Sequence, residues 1–318
     1  MSRSATPIRP ARGAPGGVRV RRFAVTGETV EVQPLQPGLY LVATPIGNLR
    51  DVSLRALETL AGADLIACED TRVSRKLTDH YAIATPLTLY HEHNAAQARP
   101  RLLARLAEGA AVALVSDAGT PLISDPGYKL VRAAREAGHT VTPIPGASAP
   151  LAALVASGLP TDRFFFEGFL PPKHGARQSR IDAIADIPAT LVLFESGPRL
   201  AQALADLAGR LGARPASICR ELTKLHEEIR SGDLVALAQA YAEAPAPRGE
   251  IVIVVAPPDP AARQADDADI DALLTAALGR TSLKDAVSEV AAVTGHPRRA
   301  VYQRALVLSK DRGDGARG

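Results

Sequence analysis

AVALVSDAGTPLISDPGYKLVRAARE (residues 111–136) passes from an apolar run, through a loop rich in glycine and proline, into a helical pattern. That order reads as a buried strand feeding a helix through a rigid loop. The same order recurs on both sides of it. GLYLVA (38–43) reads as a strand, and Ser53 caps a helix reaching Leu60, with Leu54, Leu57 and Leu60 on one face. DLIAC (64–68), PLTLY (86–90) and TVTPI (140–144) read as further strands. Helices are expected over 71–81, 95–107, 127–137 and 148–157. Such alternation predicts an α/β layer on a mostly parallel sheet.

A second unit follows SGLP (157–160). FFFEGF (164–169) and TLVLFE (190–195) read as strands, with helices near 176–186 and 198–210. SICREL (217–222), EEIRSG (227–232) and EIVIVV (250–255) follow closely, so antiparallel pairing and a mixed sheet are expected. PPDPAARQADDAD (257–269) has the composition of a linker, and three short helices follow over 270–278, 282–294 and 297–309. The expected organisation is therefore a disordered basic tail (1–36), one α/β domain (37–157), a second α/β domain (158–258) and a small three-helix, helix–turn–helix-like unit (268–309).

Three loops stand directly after strands of the first domain: TPIGN (44–48), SDAGTPLISDPG (116–127) and PGAS (145–148). Ligands of open α/β sheets bind at the carboxyl ends of strands, where glycine admits close approach and helix N-termini offer free N–H groups. The middle loop packs two Gly, two Pro, two Ser and two Asp into twelve residues, more than a turn requires. No GxxxxGK[ST] occurs, and no GxGxxG follows the first strand, which argues against P-loop hydrolases and dinucleotide binders. No GxSxG elbow occurs either.

Polar clusters close other strands. Asp70 in Glu69-Asp70-Thr71-Arg72 reads equally as a helix cap with an ion pair or as a functional carboxylate. Arg72 and Lys76, one helical turn apart, could grip a phosphate. His91, His93 and Asn94 form a loop that could contact substrate or simply end a strand. A metal would need further ligands that the sequence does not offer. Glu221 and Lys224 could form a salt bridge or orient a hydroxyl. Cys68 and Cys219 lie in apolar runs outside any CxxC, as reduced thiols of a cytoplasmic protein do.

LVATPIGNLRDVSLRALETL (41–60), IACEDTRVSRKL (66–77), YHEHN (90–94), VALVSDAGTPLISDPGYKLV (112–131), PIPGASA (143–149), RELTKLHEE (220–228) and GEIVIVV (249–255) together resemble the ribosomal RNA small subunit methyltransferase I family, within the tetrapyrrole methylase superfamily. The resemblance runs in order from about Leu39 to Leu308. It implies two α/β domains of tetrapyrrole-methylase type enclosing S-adenosylmethionine. It implies 2′-O-methylation of a cytidine ribose, at position 1402, in the decoding region of 16S rRNA within the 30S subunit. Carried over by position, it points to Pro45, Ile46, Gly47 and Asn48 for the cofactor. It points equally to Ser116, Asp117, Ala118, Gly119, Thr120 and Ser124, then Ser148 and Ala149. Activating a 2′-hydroxyl calls for a base or an ammonium, and Lys224, Glu221 and Asp70 are the candidates. Arg72, Lys76, His91, His93, Asn94, Arg298 and Arg299 are the candidates for touching RNA. One departure is Phe194-Glu195-Ser196-Gly197-Pro198-Arg199, where the family writes a Tyr-Glu-Ser-Pro-His-Arg-like segment. Two rivals remain open: a tetrapyrrole C-methyltransferase, and a DNA-binding regulator with a ligand-sensing body. A homodimer is the default assembly for such an enzyme.

Charge adds little to the RNA reading. The chain of 318 residues holds 37 Lys and Arg against 34 Asp and Glu, with a pI near 9.0. Residues 1–36 contain six Arg and two Glu, and removing them leaves 31 basic and 32 acidic residues. That segment has no apolar run of secretory type. Aromatic residues make up 4 % and tryptophan is absent, which disfavours a base-stacking platform built of many rings.

Overall fold

A computed structural model describes residues 20–259, 270–294 and 296–314. The chain divides into two compact units, one carrying two five-stranded sheets up to Ala256 and one carrying helices from Pro257 onward. Strands β1 (Arg22–Val25) and β2 (Glu28–Glu31) form a hairpin inside the segment expected to be a disordered tail. Phe23 is 2 % exposed in the core, the Ala24 N–H donates to the Tyr81 carbonyl at 2.7 Å, and Arg21 pairs with Asp64 at 2.6 Å. The expectation of disorder is thus corrected for 22–31, and its first nineteen residues lie outside the described ones.

The first sheet contains β3 (Gly38–Val42), β4 (Leu65–Cys68), β5 (Leu87–Leu89), β6 (Ala111–Val115) and β7 (Val141–Ile144). All pairings are parallel, in the order β5-β4-β6-β3-β7. Period-two alternation splits the central strand between two cores. Ala113 and Val115 pack with Leu57 and Leu60 of α1 (Leu54–Gly62) and Leu77 of α2 (Thr71–His80). Val112 and Leu114 pack with Leu102 and Leu106 of α3 (Ala95–Ala107) and Leu130 of α4 (Tyr128–Glu136). Ser53 caps α1 by accepting the Ala56 N–H at 3.1 Å. Leu54 is 62 % exposed and does not share the buried face of Leu57 and Leu60, because six residues of helix place it about 120° from Leu60.

Helix α5 (Ala149–Ala156) leads to the second sheet, β8 (Phe164–Phe169), β9 (Thr190–Ser196), β10 (Pro215–Arg220), β11 (Glu228–Asp233) and β12 (Glu250–Val255). Its order is β11-β10-β12-β9-β8; β8 and β9 run parallel and the other pairs antiparallel. Helices α6 (His174–Ile184) and α7 (Gly197–Leu211) match the expected segments. Helix α8 (Leu234–Glu243) was not foreseen. Its signals were the Asp233 cap, which accepts the Ala236 N–H at 2.9 Å, and the buried series Leu234, Leu237, Tyr241. The Gly-Pro departure at 197–198 has a local cause: a side chain at Gly197 would overlap the Pro247 carbonyl, and Pro198 occupies the first turn of α7.

The second unit contains α9 (270–278), α10 (Leu283–Thr294) and α11 (Arg298–Asp314). It has its own core of Leu274, Val287, Val290 and Val301, and Arg304 pairs with Asp271 at 2.6 Å. Cys68 and Cys219 are free and buried, and no described helix is long and apolar enough to cross a membrane.

Helices α6 and α7 are pinned by Asp206. Its carboxylate accepts from the Nε of Arg177 at 2.6 Å and from the Nε2 of Gln178 at 3.3 Å, and Arg177 is 1 % exposed. Asp206→Ala strands that guanidinium, so it should cost about 3–5 kcal/mol in urea unfolding; an unchanged midpoint would contradict the pinning.

Candidate active site

Because β3, β4, β6 and β7 run parallel, their carboxyl ends open on one edge, and the loops that follow meet there. Thr44 and Gly119 form an antiparallel bridge, each N–H donating to the other's carbonyl at 2.9 and 3.0 Å. The Thr44 hydroxyl donates to the Ser116 carbonyl at 3.3 Å, and the Thr120 hydroxyl to the Ala147 carbonyl at 3.2 Å. The three loops are thereby one rigid rim. Leu122 (φ 74°) and Ser124 (φ 64°) sit in the left-handed region without being glycine. Such strain is held only where the surroundings over-determine it, often at functional sites.

The second sheet supplies the opposing wall. The loop after β10 carries two more left-handed residues, Glu221 (φ 50°) and Thr223 (φ 67°). The Asn48 N–H donates to the Thr223 hydroxyl at 3.1 Å, and a side chain at Gly47 would run into Lys224. The Lys224 ammonium donates to Glu221 Oε1 at 2.7 Å and to Glu250 Oε2 at 2.8 Å, while the Glu250 N–H donates to the same Glu221 oxygen at 3.0 Å.

Between these walls lie two cavities of about 380 and 410 Å³ that share Ile46, Asp117, Ala118 and Glu250. Pro45, Gly47 and Ser116 border the first, with Lys76 and Lys224. Gly119, Thr120, Ser124, Ser148 and Ala149 border the second. Asn48 borders neither: its side chain accepts the Arg50 N–H at 3.1 Å, so it shapes the loop from outside.

Burial governs the charges. Desolvation, then repulsion from Glu69, raises Asp125 to about 6. Desolvation also raises Asp117 and Glu69. Although desolvation opposes it, the hydrogen bonds it donates to Glu221 and Glu250 hold the Lys224 ammonium above its ordinary value. The Lys224 hydrogen bond, then the Glu250 N–H, lowers Glu221. Lys224 is therefore a cation at neutral pH and a hydrogen-bond donor, and it is no base.

Asp70 is corrected as a base. It caps α2 by accepting the Arg72 N–H at 2.8 Å and pairs with the Arg72 guanidinium at 2.6 Å, which lowers it to about 2. A carboxylate that acidic takes up protons too weakly for the role. Arg72 consequently leans on Asp70 and does not join Lys76 at the cavity. Asn94 accepts the His91 N–H at 2.9 Å and donates to the Leu89 carbonyl at 3.1 Å, which closes the strand-end turn; His91 and His93 lie edge to face, 6.0 Å apart. Arg298 donates to Ser288 at 2.6 Å, and Arg299 is exposed beside it on α11. Residues 69, 125, 169, 195 and 250 border the second cavity without having been singled out for the site. Asp125 stood inside the quoted loop, Glu69 inside the polar cluster beside Asp70, and Glu195 inside the departing segment; Phe169 and Glu250 stood in segments read only as strands.

Residues 38–238 match the family described as Tetrapyrrole (Corrin/Porphyrin) Methylases, and 264–309 match the RsmI C-terminal HTH domain. The chain is 54 % identical over 296 residues to ribosomal RNA small subunit methyltransferase I of Mesorhizobium japonicum, covering 92 % of this chain and all of that one. The chain belongs to the ribosomal RNA small subunit methyltransferase I family. The counterpart in Escherichia coli O157:H7 is 46 % identical over 85 % of this chain and 95 % of its own. Among solved structures, diphthine synthase superposes with a TM-score of 0.55 at 18 % identity, over 69 % of this chain and 89 % of that one, a likeness of fold alone. As a member of this family the chain is a methyltransferase.

The acidic cavity costs stability. Asp125 titrates near 6 in the fold against an ordinary 3.8, so the penalty is full above the higher value, fades as pH falls through it, and is gone below the lower. Asp125→Asn should therefore raise stability in urea at about pH 7.5 by on the order of 2 kcal/mol, and by much less near pH 4. A gain that does not depend on pH would refute the assignment.

Proposed function

We propose that this methyltransferase carries a methyl group from S-adenosylmethionine to the ribose 2′-hydroxyl of cytidine 1402 in 16S rRNA. Its substrate is the 30S subunit, and it works in the cytoplasm. The observation that carries the reading is Lys224, an ammonium clamped by Glu221 and Glu250 where the two walls of the cleft meet. The family membership supports the rRNA substrate, and the helix–turn–helix match supports a nucleic-acid contact.

The cleft fits the cofactor. Glu69, Asp117 and Asp125 offer negative charge to a sulfonium and an ammonium. Gly119 leaves its backbone bare, since an added Cβ would lie 3.3 Å from Ile46. Ile46, Gly119 and Ser148 would hold the group, mostly by backbone. When bound, it supplies an electrophilic methyl on sulfur. The chain's own part is to orient the hydroxyl and compensate the charge that grows on its oxygen. Lys224 has three N–H bonds and spends two on carboxylates; the third faces the work of holding the ribose oxygen. Glu221 positions Lys224, and Glu250, whose side chain is 74 % exposed, is the neighbouring acceptor for the departing proton. Arg298 and Arg299 present positive charge to the RNA backbone.

The test is methyl transfer from labelled cofactor to undermethylated 30S subunits, with the product digested to nucleosides. Label in 2′-O-methylcytidine is expected; label in a base, or none, would overturn the reading. Lys224→Ala should lower kcat by about 10²–10³-fold while the Kd for S-adenosylhomocysteine stays put. Full turnover in that variant would remove Lys224 from the chemistry. Gly119→Val should abolish cofactor binding by calorimetry, and Arg298→Ala with Arg299→Ala should weaken 30S binding alone.

A further inference from the structure

The cavity of about 410 Å³ has one wall that the chemistry above does not use. Phe169 is 55 % exposed on it and packs on Phe194, with ring centroids 5.4 Å apart; Phe166 props Phe194 from the other side at 5.1 Å. Ile251 and Val252 continue the apolar surface. Into this wall is set Glu195, 2 % exposed. Its Oε1 accepts the Ser196 N–H at 2.7 Å and lies 3.3 Å from Arg199 Nε. Arg199 is itself anchored by donating to the Leu170 carbonyl at 2.6 Å. The other oxygen, Oε2, has no donor in the structure. A buried carboxylate oxygen left without a donor is costly, and at a cavity wall it is open to a donor from a ligand; the neighbouring Arg199 Nε is likewise without an acceptor. Glu195 and Phe169 border the same cavity, so an amine seated on the phenyl wall is a candidate to supply that donor.

We infer that this wall is a nucleobase subsite, in which the base lies against Phe169 and its exocyclic amine donates to Glu195. A flat apolar face beside one lone acceptor suits an amino-substituted heterocycle and rejects its oxo counterpart. The inference rests on the proposed reaction for its two sources of such a ring: the adenine of the methyl donor and the cytosine of the target. Glu195 is then a specificity residue, distant in role from Lys224.

The experiment uses the full chain and its Glu195→Gln variant, with S-adenosylhomocysteine and S-inosylhomocysteine as calorimetric probes. It adds 30S subunits carrying cytidine or uridine at the target. If the amine is the cofactor's, the wild-type chain prefers the adenosyl probe by about tenfold and Glu195→Gln erases the preference. If it is the target's, both probes bind the two proteins alike, and the variant loses the preference for cytidine over uridine in kcat/KM. Wild-type discrimination in both arms of the variant overturns the inference. Phe169→Ala, at an exposed position, is the second variant: it should weaken the same ligand about tenfold with an unchanged Tm. Should the chain fail to methylate 30S subunits yet show the Glu195-dependent adenosyl preference, the subsite stands and the substrate reading falls.

Discussion

The hydrogen bond from the Asn48 N–H to the Thr223 hydroxyl, with Gly47 pressed bare against Lys224, joins the two sheets into a working cleft. Each sheet alone presents only half of a site. The parallel sheet gathers the loops that can hold a cofactor; the mixed sheet brings an ammonium clamped by two carboxylates to the cavity border. At the seam these meet, and Gly47 is small because Lys224 must come so near. In the proposed transfer the methyl group and the accepting oxygen have to approach in line, so the register of the two walls matters more than any one contact.

The electrostatics follow from the same enclosure. Asp117, Asp125 and Glu69 crowd one side and are pushed upward, chiefly by desolvation. The fold keeps them although Asp125 would be cheaper neutral, which suits the cationic cofactor proposed for this site. Lys224 is the counterpart, a cation held by its neighbours against the pull of desolvation. The basic pI belongs to the first 36 residues and plays no part here.

Much of this was legible in the chain. Apolar-rich runs marked most of the ten strands of the two sheets to within two residues, EEIRSG (227–232) being the polar exception, and the glycine- and proline-rich loops after β3, β6 and β7 marked the rim. What escaped had weak local signals. The β1–β2 hairpin hides Phe23 among arginines, glycines and prolines, and tertiary contacts with Tyr81 and Asp64 decide its shape. Helix α8 was passed over as a connection between strands. Asp70 could be read two ways until Arg72 was seen to satisfy it. The partners across the seam stand 175 residues apart for Asn48 and Thr223, a pairing no local pattern announces. Three dimensions were needed to see that one oxygen of Glu195 lacks a donor.

The most direct trial of this account is a crystal structure of the chain with S-adenosylhomocysteine. Density spanning Ile46, Gly119 and Ser148, with the sulfur turned toward the Lys224 side of the seam, is the expected result. Density seated instead beside Lys76 and Leu77, or on the C-terminal helices, would contradict it.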